Sequence, residues 1–536
     1  MTSPRGADLL AQTLKAAGVT RIFTLSGNHI MPVFDACLTA RIELIHVRHE
    51  AAAVHMADAY ARLTGRPAVA LVTGGPGHAN AVGALYTALM CDSPVVLLSG
   101  HAPHGELGRG AFQEMRQADM AEPTCKASWT AASADGLGQD ITRALGLAAA
   151  GRPGPVHVSL PTDALDARVA SAPDAGASRA AADGLPAALS GSLMQWLGAG
   201  RRPLVLAGPL FMSRAGRAAL AALEDASGVP VVGMESPRGV ADPSLGAFAE
   251  MLAQADRVLL LAKRVDFTLK FGNALGQQCQ VAQIDPDDAE IARARKAFGD
   301  RLVTVHKGDP TAALTSILRA ARRQSGWHDE VRSAIAYRPA AWDSARASRP
   351  GLLHPVEVLR PAQALLDSHP DAVFISDGGE FGQWAQACLN APQRVINGPA
   401  GAIGPGLPFA MAARLASPHA PVVAAMGDGT FGFHAMEIDT AARYGLPFVA
   451  LVGNDARWNA EYQIQLRAYG PERKIGCELL PADYHAVASA LGGWGARVTT
   501  AAELATALPA AHASARPAVI NAMIEGLAAP TVSRGA

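Results

Sequence analysis

Twelve short apolar runs punctuate the chain: "RIFTLSG", "ELIHVRHE", "AVALVTGGPG", "PVVLLSG", "GPVHVSLP", "RPLVLAGP", "VPVVGME", "RVLLLAK", "AVFISDGG", "PVVAAMGDG", "FVALVGND" and "AVINAMI". Most break at Gly, Asp, Ser or Pro, and Ala-rich helical stretches lie between most of them. A strand that is apolar throughout, instead of alternating, is covered on both faces. Such strands alternating with helices predict parallel sheets wound by right-handed crossovers. The predicted class is α/β, with doubly wound domains.

Two loose regions interrupt this pattern. "DARVASAPDAGASRAAADGLPAALSG" (166–191) is rich in Ala, Ser, Gly and Asp, and "RPAAWDSARASRPGLLHP" (338–355) mixes prolines with polar residues. Read as linkers, they leave three domains, 1–168, 185–330 and 350–530, each near the common domain size. No short-period repeat is present, although the first and third stretches share a similar strand and helix grammar.

Length and charge narrow the function. The chain has 536 residues, ample for several cores, and 46 Lys plus Arg against 47 Asp plus Glu. No run of five or six like charges marks a nucleic-acid or anionic-membrane surface, so the expected partner is a small molecule. No leader-like segment opens the chain and no stretch of 18 apolar residues follows, which predicts a cytoplasmic protein with no membrane partner. The six cysteines (37, 91, 125, 279, 388, 477) include no Cys-x-x-Cys pair, so they read as small buried hydrophobes.

The candidate chemistry starts in "MGDGTFGFHAMEIDTAARYGLPFVALVGND" (426–455), where two strands end in acids. In "PVVAAMGDG" glycines flank Asp428, giving the backbone freedom to turn sharply. A helix is expected from about Phe431 to Tyr444, with Phe431, Ala435, Ile438 and Ala442 on one face and a stop at Gly445. The next strand delivers Asn454 and Asp455. Parallel neighbouring strands place both acids at one carboxyl-end margin, where open α/β sheets bind ligands. Oxygen-rich side chains beside glycine amides suit Mg²⁺ shared with a diphosphate; taken singly, Gly-Asp-Gly and Asn-Asp are also ordinary turns.

This stretch closely resembles the diphosphate and metal motif of thiamine diphosphate (ThDP) dependent enzymes of the acetolactate synthase, 2-oxo acid decarboxylase and 2-hydroxyacyl-CoA lyase type. The resemblance implies Asp428 as a metal ligand, Asp455 where the family usually has Asn, the Arg457 carbonyl as a third ligand, and Asn454 as the fallback. Gly427, Gly429 and Thr430 would touch the diphosphate. "RHEAAAVHMADAYARLTG" is similar to the segment whose glutamate, here Glu50, meets the aminopyrimidine ring. Without that context a Glu in a helix's first turn reads as dipole stabilisation.

Other segments follow the same order. "GGPGHAN" is similar to the family's Gly-Pro-Gly turn before a helix and implies cofactor contacts at Pro76 and Asn80, with His78 beside them. "AFQEM" is similar to the segment that carries Gln113 toward the substrate. "ISDGGEFGQW" resembles the Asp-x-Gly segment near the diphosphate, implying contacts at Asp377, Gly378 and Gly379, although Glu380 and Phe381 stand where acetolactate synthases have Gln and His. "PAGAIGPG" implies Ile403 as the apolar wedge beneath the cofactor.

The implied catalytic set is Glu50, Gln113, His78 and His29; each histidine also reads as a satisfied structural residue. The paired His-His of pyruvate decarboxylases is absent, since His101 and His104 are three apart. The central stretch resembles a domain that holds FAD, ADP or nothing, with FAD less favoured because "AKRVDFTLKFG" echoes the flavin-binding version only loosely. Glu50 and Asp428 fall in different domains, and the family builds its site from two subunits, which implies a homodimer or homotetramer. The favoured reading is a 2-oxo acid carboligase or decarboxylase. Its rivals are a 2-hydroxyacyl-CoA lyase or oxalyl-CoA decarboxylase, and a non-catalytic scaffold. A nicotinamide dehydrogenase lacks its Gly-x-Gly-x-x-Gly fingerprint here.

Overall fold

The computed structural model describes residues 3–169, 184–321 and 327–535. The chain divides into two compact units, Met1–Ala181 and Ala182–Ala536.

The first unit is built on strands β1 (Arg21–Thr24), β2 (Glu43–His46), β3 (Ala68–Val72), β4 (Val95–His101), β5 (Ala127–Thr130) and β6 (Val156–Pro161). They form one parallel sheet in the order β2-β1-β3-β4-β6-β5. β3, β4 and β6 are buried along their whole length, as continuous apolar runs require. Leu71, Leu98 and Val158 of the sheet share a core with Leu10 and Leu14, one helical turn apart in Gly6–Ala16, and with Ile141 and Ala144 of Leu137–Ala149.

The second unit holds two sheets. β7 (Pro203–Ala207), β8 (Val231–Gly233), β9 (Arg257–Leu261), β10 (Gln280–Asp285) and β11 (Leu302–Lys307) run parallel in the order β11-β10-β9-β7-β8. β12 (Val373–Ser376), β13 (Gln393–Ile396), β14 (Val422–Gly427), β15 (Phe448–Asn454), β16 (Trp494–Val498) and β17 (Pro517–Met523) run parallel in the order β13-β12-β14-β15-β17-β16. Phe374, Val423, Leu451 and Ile520 line one face of this third sheet and bury almost completely.

The two expected stretches 185–330 and 350–530 thus lie in one compact unit. Buried Glu235 takes Arg217 at 2.7 Å and Arg394 at 2.6 Å. Arg338 donates to the carbonyls of Ser244 and Ala387, at 3.1 and 2.7 Å. Of the expected loose region 166–191, residues 170–183 lie outside the described residues, while Ala187–Gly198 is a helix.

After β17 the chain stays on the second unit. Gln463 donates to Gly526 O, Asn459 to Leu527 O and Trp384 to Ala528 O, and Arg534 pairs with Glu250 at 3.0 Å. Among the described residues, no helix is long and apolar enough to cross a membrane.

Candidate functional site

β14 and β15 are hydrogen-bonded neighbours with Gly427 opposite Gly453, so the two chains leave the sheet at one margin. Asp428 and Asp455 line the same cleft there. Asp428 is 1% exposed, and its Oδ2 is buried without a hydrogen-bond partner. Burial lifts its carboxyl to about 6, opposed by amides that include those of Gly429, Ala456 and Arg457. Burial, and then the charge of Asp428, push Asp455 up to about 8, eased by Arg457. Two enclosed carboxylates, one raised by the charge of the other and one with an orphaned oxygen, form a hard-oxygen donor set fitted to a cation such as Mg²⁺.

Among the described residues, no group of three or more His, Cys, Asp and Glu side chains could hold a metal. A cation between these acids would therefore complete its shell with backbone or ligand oxygens. The chain bonds that flank Arg457 join Leu479 N to Ala456 O and Trp458 N to Cys477 O, and neither uses the Arg457 carbonyl. Asn454, in contrast, is turned away. It is fully buried, donates to Ala482 O at 3.0 Å and to Asn521 Oδ1 at 3.1 Å, and accepts from Ala456 N. The fallback ligand is thus bound up inside the fold, because successive side chains of a strand point to opposite faces.

The expected single helix over 431–444 is two, Asp428–His434 and Glu437–Arg443, with the first starting at the acid itself. Between them the bonds tighten to the i→i+3 type (Ile438 N to Ala435 O, Asp439 N to Met436 O), a 3₁₀-like join. Thr430 Oγ1 donates to Gly427 O at 3.0 Å. A Cβ on Gly429 would come 2.6 Å from the Trp458 ring, so only glycine fits there.

The opposite wall is the start of helix Gly379–Cys388. Gly379 has φ +83° and open space where a Cβ would stand. Asp377 does not offer its carboxylate to the cleft. It accepts the amides of Gly378 (2.6 Å), Gly404 (2.9 Å) and Gly406 (2.7 Å), and burial raises it to about 6. It thereby pins the loop that carries Ile403, which is 37% exposed into the cleft and crowds Gly378. Phe381, where the resembled enzymes have His, packs its ring against Gly453.

The first unit gathers a second group. Glu50 opens helix Glu50–Thr64, is 9% exposed, and accepts Asn80 Nδ2 at 3.0 Å. Pro76 begins helix Pro76–Met90. A Cβ on Gly77 would meet Thr73 at 2.8 Å and Glu50 Oε1 at 3.2 Å, so the glycine keeps that carboxylate uncrowded. Gln113 sits at φ +56°, a strained value for a non-glycine residue, with its backbone against Gly75 and its Oε1 buried without a partner. His29 lies nearby, with Nδ1 3.2 Å from Thr73 Oγ1 and its ring stacked on Phe112.

His78 does not reach an accessible surface. It is fully buried, with Nδ1 2.8 Å from Ser99 Oγ and its ring 4.6 Å from His157. Burial lowers it to about 4 and holds His157 well below its ordinary value. Both rings are neutral at neutral pH, which suits packing better than substrate contact. Between about pH 6.5 and pH 4 the unfolded chain binds a proton that folded His78 refuses, so stability is present above that window and lost as pH falls through it. The shift corresponds to about 3 kcal/mol at most. His78→Asn, which keeps a partner for Ser99, is expected to show a smaller fall in denaturation midpoint between about pH 7 and about pH 4.5. Identical slopes in the two proteins would contradict this assignment.

Three further side chains shape these sites. Gln117, 1% exposed, accepts Gly75 N at 2.8 Å and donates to Gly100 O and Ser159 Oγ, both at 3.1 Å, fastening the turn before Pro76. Trp458 closes over Gly429. Arg238, from the loop after β8, lines the cleft of the third sheet. The glycine following it in "SPRGV" was the one available signal, since Gly239 takes φ +54° against Thr268.

Comparison with known proteins finds a family match over the stretches that carry these two groups. The family model "Thiamine pyrophosphate enzyme, N-terminal TPP binding domain" matches residues 4–120, and "Thiamine pyrophosphate enzyme, C-terminal TPP binding domain" matches 377–522. A probable acetolactate synthase of Mycobacterium bovis is 33% identical over 540 residues, covering 96% of this chain and 95% of the relative. Human 2-hydroxyacyl-CoA lyase 2 is 30% identical over 543 residues, covering 91% and 84%. The acetolactate synthase large subunit of Parasynechococcus marenigrum is 30% identical over 547 residues, covering 96% and 87%.

Proposed function

The chain belongs to the thiamine pyrophosphate enzymes, and from that premise we propose a cytosolic, Mg²⁺-dependent enzyme that cleaves or forms the carbon–carbon bond next to the carbonyl of a 2-oxo acid. It is a catalytic protein of the acetolactate synthase and 2-hydroxyacyl-CoA lyase type. The observation that carries the proposal is the meeting of Asp428 and Asp455 at one sheet margin, with Asp428 Oδ2 unpartnered.

In this reading residues 350–530 hold the metal and diphosphate, through Asp428, Asp455 and the Arg457 carbonyl on one side and Gly378, Gly379, Gly427, Gly429 and Thr430 around them. Ile403 supports the cofactor from below. Residues 1–168 hold the pyrimidine end, with Glu50 exchanging a proton at the ring while Asn80 keeps its carboxylate oriented. Pro76 packs beside it, and Gln113 and His29 face the substrate. When bound, the cofactor supplies a carbon nucleophile that adds to a carbonyl and accepts the electron pair of the breaking bond. The protein contributes position, proton transfer at Glu50 and exclusion of water. The assembly is proposed to be a homodimer or homotetramer, and the 185–330 stretch to work without FAD.

The rival substrate class is an acyl-CoA, as the name of the lyase relative suggests. Against it, the segment after β17 is tied along the second unit and its Arg534 is already paired with Glu250, leaving that arginine engaged rather than ready to meet a CoA phosphate. The test is to incubate the purified protein with ThDP, Mg²⁺ and a panel of 2-oxo acids and acyl-CoAs, following CO₂ and carbon-chain products, with flavin colour recorded on the same preparation. CO₂ release from a 2-oxo acid is expected. Turnover confined to acyl-CoAs would transfer the assignment to the lyase class, and no product from any donor would support a scaffold.

A further inference from the structure

We propose that Arg238 is a phosphate-docking arm, reaching from the loop after β8 into the cleft of the third sheet and bridging Glu380 to the cofactor's diphosphate. This rests on the reading of that cleft as the diphosphate site. The loop is firmly held. Gly239 is enclosed by the Thr268 backbone, Arg238 N donates to Ser236 Oγ, and Ser236 stands 3.5 Å from Gln386 on the Gly379–Cys388 helix. The arginine side chain is 43% exposed and touches Glu380 through one nitrogen at 3.3 Å. A guanidinium presents five donors in a planar fork, so one edge can stay with the carboxylate while another meets phosphate.

The charges of the cleft require such a group. Among the described residues, Glu380, Asp428, Asp455 and Glu461 line it against two cations, Arg238 and Arg457, a formal sum of −2. A divalent ion brings that sum to zero, and a diphosphate then adds negative charge that falls to the cleft's arginines and backbone amides to meet. Arg457 is occupied, with its guanidinium 4.4 Å over the Tyr462 ring and its charge favouring Asp455. Glu380 is buried, which disfavours its charge, and Arg238 is the foremost positive group opposing that effect. Without Arg238, Glu380 would lose its foremost compensating charge at the cleft wall where phosphate must lie.

The experiment is a double-mutant cycle on binding rather than turnover: titration of Mg²⁺-pyrophosphate and of Mg²⁺-ThDP into wild type, R238Q, E380Q and R238Q/E380Q, followed by tryptophan fluorescence and calorimetry. R238Q is expected to weaken both ligands about 10- to 100-fold, as for loss of a hydrogen bond to a charged group, and to do so in the E380Q background as well. An effect of R238Q that vanishes when Glu380 is already neutral would reduce Arg238 to a screen for Glu380 and overturn the proposal. R238Q binding both ligands like wild type would overturn it too. Wild type that binds neither ligand would remove the diphosphate reading and this proposal together, whereas the first two outcomes leave that reading standing.

Discussion

Replacing Glu50 by Gln is expected to cut turnover by about 100- to 10,000-fold, the range for loss of a positioned proton-transfer group, while Mg²⁺-ThDP binds nearly as well as before. The substitution keeps the length of the side chain and an oxygen for Asn80, whose Nδ2 donates to Glu50 Oε2 at 3.0 Å. It removes only the ability to exchange a proton. Glu50 is 9% exposed at the first residue of its helix, so little packing changes. Steady-state kcat beside a binding titration separates the two effects, and unaltered kcat would take Glu50 out of the mechanism.

Asp428→Ala is expected to abolish Mg²⁺-dependent retention of ThDP, weakening it by about 100-fold or more, as when one partner of an enclosed charge pair is lost. The apo protein should respond in the opposite sense. Asp428 is 1% exposed with an orphaned oxygen and raises its neighbour Asp455, so removing it relieves a burial cost that the surrounding amides offset only in part. A higher apo melting temperature together with lost retention on gel filtration would mark a site that trades stability for function. Cofactor retained at the wild-type level would overturn the metal assignment.

All twelve apolar runs are strands, and all but β2 and β8 lie inside their sheets, where a parallel strand must be hydrophobic on both faces and so leaves a signal free of phase. The strands that escaped sit mainly at margins. β5, β11, β13 and β16 are the outer strands of their sheets, and "ASWT", "LVTVHK" and "WGARV" are half-exposed along most of their length. An edge strand needs no continuous apolar run, so hydropathy alone does not separate it from a loop. The meeting of Asp428 and Asp455 was legible because it follows from parallel pairing of two recognisable strands. The direction of Asn454 and the fastening by Gln117 were not, since both depend on partners 67 and 42 positions away. Arg238 was hidden for the same reason, being 142 residues from Glu380.

One carboxylate, Asp377, fixes amides at 378, 404 and 406. That side of the cleft is therefore a preset mould, whereas in the facing helix Asn459–Tyr469 only Asn459 is buried. The two walls differ in what they tolerate. Diversification aimed at new donor molecules belongs on Ala460 and Glu461, which line the cleft, while libraries around 377 and 402–406 would lose the mould's shape before gaining a substrate.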